Sequence, residues 1–367
     1  MQTKPLLKKG WVVGIILLFI GTAVIPSNGQ TIGKTSARGG HWLYVGGSGP
    51  GNYTTIQDAV NHASAGDTVY VYQGSYPESV KVNTSLVLLA ENQQTIIDGE
   101  FLYSPAVAIL ADTVTMEGFM VLANQTDNGK ASIMVLGNNC NILWNRVSTT
   151  GSGDIGIGLV SVEGVVVKDN MLTHLTIGVC LVNASHDTVV NNSVVGDQEG
   201  VYLYTSNDNV VENNTVKDDV NGISLLDSCG NMIRGNTVWS CSHDGVFLGY
   251  VDNGSSFNVV SGNSFNKNGR DALFIVGKGR NTFDGNYWHR YLSVPKVIVG
   301  RRVVLTIPGA PFHFPGLKVA IPWVAVDWHP AKNLITSRGY KLTSLYGILA
   351  YRSCHFPFRT KNHIVNN

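Results

Sequence analysis

Charged side chains, proline and long hydrophobic runs are all scarce in this 367-residue sequence. Only 14% of the residues are charged, against about 25% in an average protein. The formal net charge is +1, which excludes a strongly basic nucleic-acid binder and an acidic tail protein. No nucleic-acid partner is therefore expected. Hydrophobic residues make up 44% of the chain, which argues against intrinsic disorder.

One hydrophobic run approaches the length of a membrane span. It extends from Trp11 to Ile25 and is shorter than the ~20 residues that a spanning helix needs. Lysines precede it and a small polar stretch follows, so residues 1–30 are predicted to be a signal peptide or an N-terminal anchor. The protein is expected to be extracellular, at the cell surface or in a periplasm-like space, with membrane contact only through this segment.

The few charges are distributed unevenly. Residues 41–288 contain ten Lys or Arg against 24 Asp or Glu, a net charge of −14. Residues 289–367 contain eleven Lys or Arg against one Asp, a net charge of +10. The near-neutral total therefore averages two chemically different regions.

The five cysteines match no metal-ligand spacing, and their odd number excludes complete pairing. Cys229 and Cys241 form a disulfide only if their Cα atoms lie close together. The alternative is that the cysteines are buried thiols in the interior of the fold.

The middle of the chain repeats with a period of about 22 residues. An asparagine recurs in each period and is followed two positions later by an apolar residue. A glycine that opens motifs such as Gly-Val-Tyr-Leu recurs with the same period. The asparagines are Asn145, Asn170, Asn192, Asn214, Asn236, Asn263 and Asn286; the glycines are Gly156, Gly178, Gly200, Gly222 and Gly245.

This period predicts an all-β solenoid, a right-handed parallel β-helix of about ten coils of ~22 residues. Its apolar residues alternate over short runs between Asn, Gly and Asp, which indicates strands and turns rather than helices. Residues one period apart then lie above each other, and the recurrent asparagines can pair amide to amide. Asparagine also tolerates the left-handed backbone of a turn. No proline occurs between Pro105 and Pro295, as expected where every strand donates hydrogen bonds.

The two ends of the repeat differ from its middle. A short amphipathic helix over residues 56–63, with Thr54 or Thr55 as N-cap, is predicted to cover the N-terminal end. The predicted organisation is therefore 1–30 signal peptide or anchor, 41–288 β-helix, 289–332 closing segment and 333–367 basic tail.

Several segments resemble the pectin-lyase-like superfamily, and most closely its NosD-type and carbohydrate-binding and sugar-hydrolase (CASH) members of archaeal surface type. The resemblance is carried by residues 55–60 (TIQDAV), 66–71 (GDTVYV), 95–99 (TIIDG), 286–288 (NYW) and 327–332 (DWHPAK). It covers roughly residues 42–332. It implies the β-helix fold, and it implies a polysaccharide, or in NosD-type members copper, as the ligand.

A column of turn residues just before each repeat glycine is the candidate catalytic site. Stacking predicts Asp244 and Asp271 on adjacent coils, near the ~5 Å separation of a retaining glycosidase pair. Glu199 lies in the same column, and His243 or Arg270 is predicted to move or orient a proton. Two neighbouring carboxylates would also suit Ca²⁺. The alternative is that turns simply favour Asp and Asn.

Alternation in Gly-Val-Tyr-Leu-Tyr places Val201 and Leu203 on one face and Tyr202 and Tyr204 on the other. Since the apolar residues fill the coil, the two tyrosines are predicted to face outwards and to bind carbohydrate. Copper sites are built from clustered His, Met or Cys side chains, and no closely spaced histidine pair occurs in the sequence. Ca²⁺ and copper are the two cofactors considered.

Seven Asn-x-Ser/Thr sequons are glycosylation candidates in an exported chain. They begin at Asn52, Asn83, Asn124, Asn183, Asn191, Asn213 and Asn253.

The sequence therefore predicts an exported or cell-surface β-helix protein that binds carbohydrate or has a structural role, with a polysaccharide or surface glycan as partner. A polysaccharide lyase, hydrolase or epimerase acting through the carboxylate column is the first alternative. A periplasmic copper-handling protein is the second.

Overall fold

The computed structural model describes residues 40–99, 105–123, 131–149, 155–249, 254–276, 279–289, 295–307 and 317–331. The predicted signal peptide, the basic tail and the sequons at Asn124 and Asn253 lie outside these ranges. Within them, no helix has the length and apolar character that crossing a membrane requires.

The described chain is a right-handed parallel β-solenoid of about ten coils, as the repeat predicts. Successive coils contribute one short strand to each of three sheets, and each strand pairs in parallel with its equivalents in the coils before and after. Sheet A contains β1 (Trp42–Val45), β2 (Thr68–Val71), β5 (Val87–Ala90), β8 (Thr115–Glu117), β11 (Asn141–Leu143), β14 (Val166–Lys168), β17 (Thr188–Val190), β20 (Val210–Glu212), β23 (Met232–Arg234), β26 (Val259–Ser261) and β29 (Thr282–Asp284).

The other two sheets complete the coil. Sheet B contains β3 (Gly74–Tyr76), β6 (Thr95–Asp98), β9 (Met120–Ala123), β12 (Arg146–Thr149), β15 (Met171–Thr173), β18 (Ser193–Val195), β21 (Thr215–Lys217), β24 (Thr237–Trp239), β27 (Ser264–Asn266) and β30 (Tyr287–Trp288). Sheet C contains β4 (Val80–Val82), β7 (Val107–Ile109), β10 (Ala131–Val135), β13 (Ile155–Val160), β16 (Ile177–Val182), β19 (Glu199–Tyr204), β22 (Asn221–Leu226), β25 (Asp244–Gly249), β28 (Arg270–Val276), β31 (Lys296–Ile307) and β32 (Leu317–Asp327).

Both ends of the solenoid depart from the parallel repeat. The predicted helix is α1 (Ile56–His62), with Thr55 as its N-cap, and it contacts β1, β2 and β4 at the N-terminal end. The Glu78 carboxylate accepts hydrogen bonds from the backbone N–H groups of Ile56 and Gln57, where a helix N-terminus favours an anion. At the C-terminal end β31 and β32 form an antiparallel hairpin that continues sheet C.

The predicted asparagine column is a continuous hydrogen-bonded ladder inside the solenoid. Asn214 is typical: its Oδ1 accepts the backbone N–H and the side-chain amide of Asn192, at 2.9 and 3.0 Å. Its own Nδ2 donates to the Val189 carbonyl and to Asn236 Oδ1. The same contacts link every rung, so seven successive coils are joined through buried amides: Asn145, Asn170, Asn192, Asn214, Asn236, Asn263 and Asn286.

A carboxylate terminates this ladder. Asp327, which is fully buried, accepts from the backbone N–H and side-chain amide of Asn286 and from the Trp288 indole N–H at 3.0 Å. Its other oxygen accepts from the backbone N–H groups of Gly285 and His329. Because a carboxylate needs no further acceptor, it ends a chain of donors without leaving an amide unpaired.

The left-handed backbone falls on the residue before each rung, not on the rung itself. Asn191 and Asn213, which precede Asn192 and Asn214, have φ values of 57° and 55°. Gly235 occupies the same position before Asn236. At six of the seven rungs the turn uses the tolerance of Asn, Asp or Gly for positive φ, and before Asn145 the residue is Trp144, with a φ of 56°. The asparagine that follows turns its amide inwards.

Three buried aspartates lie in internal columns, that is, at inward turn positions that are equivalent in successive coils. Asp187, Asp197 and Asp219 each accept a backbone N–H from the preceding coil through Oδ1, at 2.6–2.7 Å. Each leaves Oδ2 buried without a hydrogen-bond partner. Burial raises their pKa values to about 7, about 7 and about 8, respectively.

Asparagines in the same columns show which group normally occupies the place of the unpaired Oδ2. In the columns of these aspartates, the side-chain amides of Asn209 and Asn268 donate to the backbone carbonyls of Ala184 and Val238. A carboxylate oxygen in that place meets a carbonyl oxygen and can donate only when it is protonated. The neutral acid is therefore the form that suits the interior.

We expect replacement of a ladder asparagine to destabilise the fold strongly. Asn214→Ala removes four hydrogen bonds and leaves the Val189 carbonyl and the Asn192 amide buried without them, at a cost of about 3 kcal/mol. Urea unfolding followed by circular dichroism measures the change. Asn83→Ala, at an exposed asparagine, is the control and should cost less than about 0.5 kcal/mol. Equal losses in the two variants would show that the ladder does not carry this stability.

We expect the free energy of unfolding to fall as the pH rises from about 4 to about 8. The folded pKa values of the three buried aspartates lie above the unfolded value of about 3.9, so their contribution is complete below that value and is lost as the pH passes the folded pKa. Asp219→Asn should flatten this dependence and raise stability at pH 8 more than at pH 4. Asp58→Asn, at an exposed aspartate of α1, is the control. An Asp219→Asn profile parallel to the wild type would contradict this account.

Candidate functional site

The outer face of sheet C carries the predicted site residues. In β19, Val201 and Leu203 are fully buried inside the coil, whereas Tyr202 and Tyr204 are half-buried on the outside. This orientation agrees with the alternation in the sequence. Tyr202 pairs in register with Cys180 and with Ser224.

Four polar side chains form a continuous row along this face, called here the polar row: Glu199, Asn221, Asp244 and Arg270. The row starts at Glu199, whose carboxylate accepts from the Asn221 side-chain amide at 2.7 Å and from the Ser224 hydroxyl at 2.6 Å. Asn221 Oδ1 accepts the backbone N–H of Asp244 at 3.3 Å. The row ends in a two-point contact in which the Arg270 guanidinium holds both oxygens of Asp244.

The predicted stacking of Asp244 on Asp271 is wrong. Strand pairing places Arg270 beside Asp244, and Asp271 lies one position further along. The reason is turn length: Val238 and Phe265 pair with each other, but Asp244 follows Val238 by six positions and Arg270 follows Phe265 by five. Asp271 instead lies 3.9 Å from Lys296 Nζ.

Burial dominates the electrostatics of the row. It raises the pKa of Glu199, against the lowering effect of the hydrogen bonds from Ser224 and Asn221. Burial also raises the pKa of Tyr202 to about 12, so the phenol keeps its proton and can donate it in a hydrogen bond. His243 lies exposed in the turn before β25, where its charge would favour the ionised form of Glu199.

The row offers hydrogen-bonding groups rather than a free acid–base pair. Glu199 and Asp244 are separated by the Asn221 coil, so two strand spacings, about 9–10 Å, lie between their Cα atoms. That is too far for the ~5 Å of a retaining pair. Both Asp244 oxygens are already bound by Arg270. Catalytic roles for Glu199, His243, Asp244, Arg270 and Asp271 stay predictions of the sequence.

The described donors do not fit a copper site. Among the residues that the structure describes, no group of three or more His, Cys, Asp or Glu side chains is placed to hold a metal ion. Burial raises the pKa of Cys180 and Cys241 to about 12, so these thiols stay protonated. His329 is engaged with Asp284 at 3.0 Å. Ca²⁺ and copper binding stay predictions.

The cysteines are free thiols in the described part of the chain. Cys229 and Cys241 do not form the disulfide that was considered. Cys140, Cys180 and Cys241 are buried, as the alternative predicted.

The described sequons lie on turns and differ in accessibility. Asn83 and Asn191 are exposed. Asn183 is also exposed, but its amide donates to Ser161. Asn52 and Asn213 are half-buried, and the Asn52 amide donates to the Gly46 carbonyl. Glycan attachment stays a prediction for all of them.

A group of outward-facing, partly exposed aromatic residues at the N-terminal end of sheet A was missed by reading the repeats alone. Trp42 and Tyr44 on β1, Tyr70 on β2 and Tyr72 just after it form one cluster. Trp-x-Tyr and Tyr-x-Tyr show the same alternation that predicts the orientation of Tyr202 and Tyr204. Applied outside the asparagine repeats, that rule finds the cluster.

A known protein family matches most of the solenoid. The family model described as periplasmic copper-binding protein (NosD) matches residues 60–293, well over half of the chain. The chain belongs to the NosD family. The matched range begins in α1 and extends beyond β30, so it spans the parallel coils, including the polar row. No curated protein sequence gives a significant match.

Solved structures similar to this NosD-family chain share its fold at low sequence identity. The catalytic domain of a GH87 alpha-1,3-glucanase in complex with nigerose is 11% identical, with a TM-score of 0.50, over 72% of this chain and 56% of the glucanase chain. The Dettilon tailspike protein is 16% identical, with a TM-score of 0.46, over 67% of this chain and 61% of its own. The chain thus spans about three fifths of the length of these structures. The likeness to the glucanase shows the β-helix fold alone.

We expect Arg270 to stabilise the site measurably. Arg270→Ala leaves the Asp244 carboxylate, which is 6% exposed, without its cation, and should cost about 2 kcal/mol because Arg270 itself is half exposed. Arg234→Ala removes an ion pair with Glu212, whose side chain is more exposed than that of Asp244, and should cost less than about 1 kcal/mol. Urea unfolding of both variants measures the difference. Similar losses would show that Asp244 does not depend on its partner.

Proposed function

We propose that this NosD-family protein is exported and binds carbohydrate on the outer face of sheet C, through the polar row and Tyr202. Export is supported by the family description as periplasmic. The observation that supports the binding role is the juxtaposition of a half-buried tyrosine ring with a fixed line of carboxylate, amide and guanidinium groups.

This combination has the chemistry that sugars require. A pyranose ring presents C–H groups on its faces, which are attracted to the face of an aromatic ring, and hydroxyls on its rim. Paired carboxylate and guanidinium groups hydrogen-bond such hydroxyls strongly and with directional preference. Since the groups of the row already hold each other in place, less ordering is needed on binding.

The charge of the solenoid favours a neutral glycan. Residues 41–288 contain 24 acidic residues against ten basic ones. Such a field repels polyuronates and leaves neutral polymers unaffected. The glucanase complex with nigerose illustrates that a β-helix can present a glycan-binding surface, without assigning that ligand to this chain.

We expect Tyr202→Ala to weaken glycan binding at least fivefold. Affinity gel electrophoresis of the full chain with xylan, mixed-linkage β-glucan, sodium pectate and sodium alginate measures retention of each protein by each polymer. Retention should be greatest with a neutral polymer and should fall in Tyr202→Ala because the ring contact is lost. Product analysis on the same mixtures separates binding from lyase or hydrolase turnover.

Tyr287→Ala, at a half-buried tyrosine on sheet B, is the matched control and should be retained like the wild type. Equal retention of the wild type and Tyr202→Ala would refute a binding role for this face.

A further inference from the structure

Four aromatic rings form a continuous surface at the N-terminal end of sheet A, called here the aromatic platform: Trp42, Tyr44, Tyr70 and Tyr72. Tyr44 and Tyr70 are paired in register, and their ring centroids lie 6.1 Å apart. The Trp42 ring lies 6.3 Å from Tyr44 and 6.1 Å from Tyr70. The Tyr72 ring lies 5.2 Å from Tyr70. Every ring is thus within stacking or edge-to-face distance of another.

The platform is not part of the solenoid core. Alternation in β1 and β2 turns Val45, Val69 and Val71 inwards, where all three are fully buried. The aromatic residues occupy the outward positions, and Tyr44 is 39% exposed. Filling the coil therefore does not require these four rings. Trp42, Tyr70 and Tyr72 are partly exposed beside it. A contiguous, solvent-accessible aromatic surface of this kind indicates a binding site.

The rings are held before any ligand arrives. Gly46 and Gly47 have positive φ values, 73° and 66°, and bring the backbone close to Tyr72. A Cβ atom at Gly47 would lie 2.8 Å from the Tyr72 ring, so only glycine allows this approach. The Tyr76 hydroxyl donates to the Tyr72 carbonyl at 2.8 Å, which fixes the same segment from the other side. Rings that are already ordered lose little entropy on binding.

Polar groups border the platform on the side of the next coil. Glu91 follows β5 in line with Tyr72, and its carboxylate accepts the backbone N–H of Gln73 at 2.8 Å. The Gln73 side chain accepts a hydrogen bond from Asn92. All three side chains are exposed and can bond hydroxyl groups. The Glu91 charge opposes an anionic ligand at this place. Burial raises the pKa of Tyr70, and the Glu91 charge raises it further.

We propose that the aromatic platform is a second glycan-binding site, specific for neutral sugar residues, which stack on Trp42 and Tyr44 and hydrogen-bond at Gln73 and Asn92. It shares no residue with the polar row. Sugar faces pack on the rings through their C–H groups, while the acidic border excludes uronates. The proposal goes beyond the site on sheet C and does not require it.

Affinity gel electrophoresis with xylan, mixed-linkage β-glucan and sodium pectate tests this on the full chain. We expect the Trp42→Ala/Tyr44→Ala double variant to lose at least fivefold in retention by a neutral polymer, with no change in pectate. Trp239→Ala removes an exposed tryptophan that lies under Lys217 and Lys267, and it is the matched control with retention unchanged.

The same double change is also made in the Tyr202→Ala background, which separates the two sites. A loss caused by Trp42→Ala/Tyr44→Ala in both backgrounds supports the platform even if Tyr202→Ala alone has no effect. Circular dichroism checks that the double variant remains folded, and Tyr44→Ala alone, at the most exposed ring, replaces it if it does not.

Two results would overturn the proposal. One is retention of the platform variant equal to the wild type with every polymer. The other is a platform that mediates self-association, seen as a dimer by analytical ultracentrifugation that the double variant abolishes while glycan retention is unchanged.

Discussion

From the coil of Asn145 to that of Asn286, buried asparagine amides hydrogen-bond each coil to the next, and the candidate site depends on this interaction. Each rung satisfies a backbone N–H of the neighbouring coil and a carbonyl deeper in the stack, as Asn214 does with Asn192 and Val189. A solenoid whose turns are buried would otherwise leave those backbone groups unpaired, at roughly 1–3 kcal/mol each. The ladder therefore does more than decorate the turn: it makes a buried turn possible.

The ladder also determines what the outer surface looks like. Because it holds successive coils in register, residues one period apart are placed in rows at the strand spacing. Outward side chains of successive coils therefore form rows. The polar row is one of them: its four residues are neighbours although 71 positions separate Glu199 from Arg270. The candidate site forms because the internal ladder fixes the register of each coil against the next.

The same regularity explains how far the sequence could predict the molecule. Apolar alternation and the recurrent asparagines determine the coil, the three sheets and the ladder, because each follows from local pattern and period. The sequence period did not predict the neighbour of Asp244 correctly, because that pairing depends on one additional residue in the turn after Val238. A period counted over whole coils does not resolve a single-residue difference within one turn, and a shift by one residue changes which side chain is the neighbour.

The position of the left-handed residue is a second limit. Asparagine is suitable both for a positive φ and for a buried amide, so the sequence alone does not separate the two roles when Asn213 and Asn214 are adjacent. Gly235 before Asn236 separates them, since glycine has no amide to contribute. A turn with glycine before the asparagine therefore shows from sequence alone which residue has the positive φ and which one contributes the buried amide.

The family is described as copper-binding, whereas the described ranges of this chain contain no cluster of His, Cys, Asp or Glu placed to hold a metal ion. In a β-helix the columns that build the fold are internal, whereas ligand chemistry occupies the outward rows, which the fold does not constrain. The buried cysteines illustrate the difference: Cys241 lies beside the Cβ position of Gly222, 3.3 Å away, as a filler in the column that Asp219 occupies one coil earlier. Its thiol is inside because the coil needs volume there, and burial keeps it protonated. The coil does not need the aromatic rings on outward positions for filling, so the candidate ligand-binding residues lie on the outward rows rather than in the repeated internal columns.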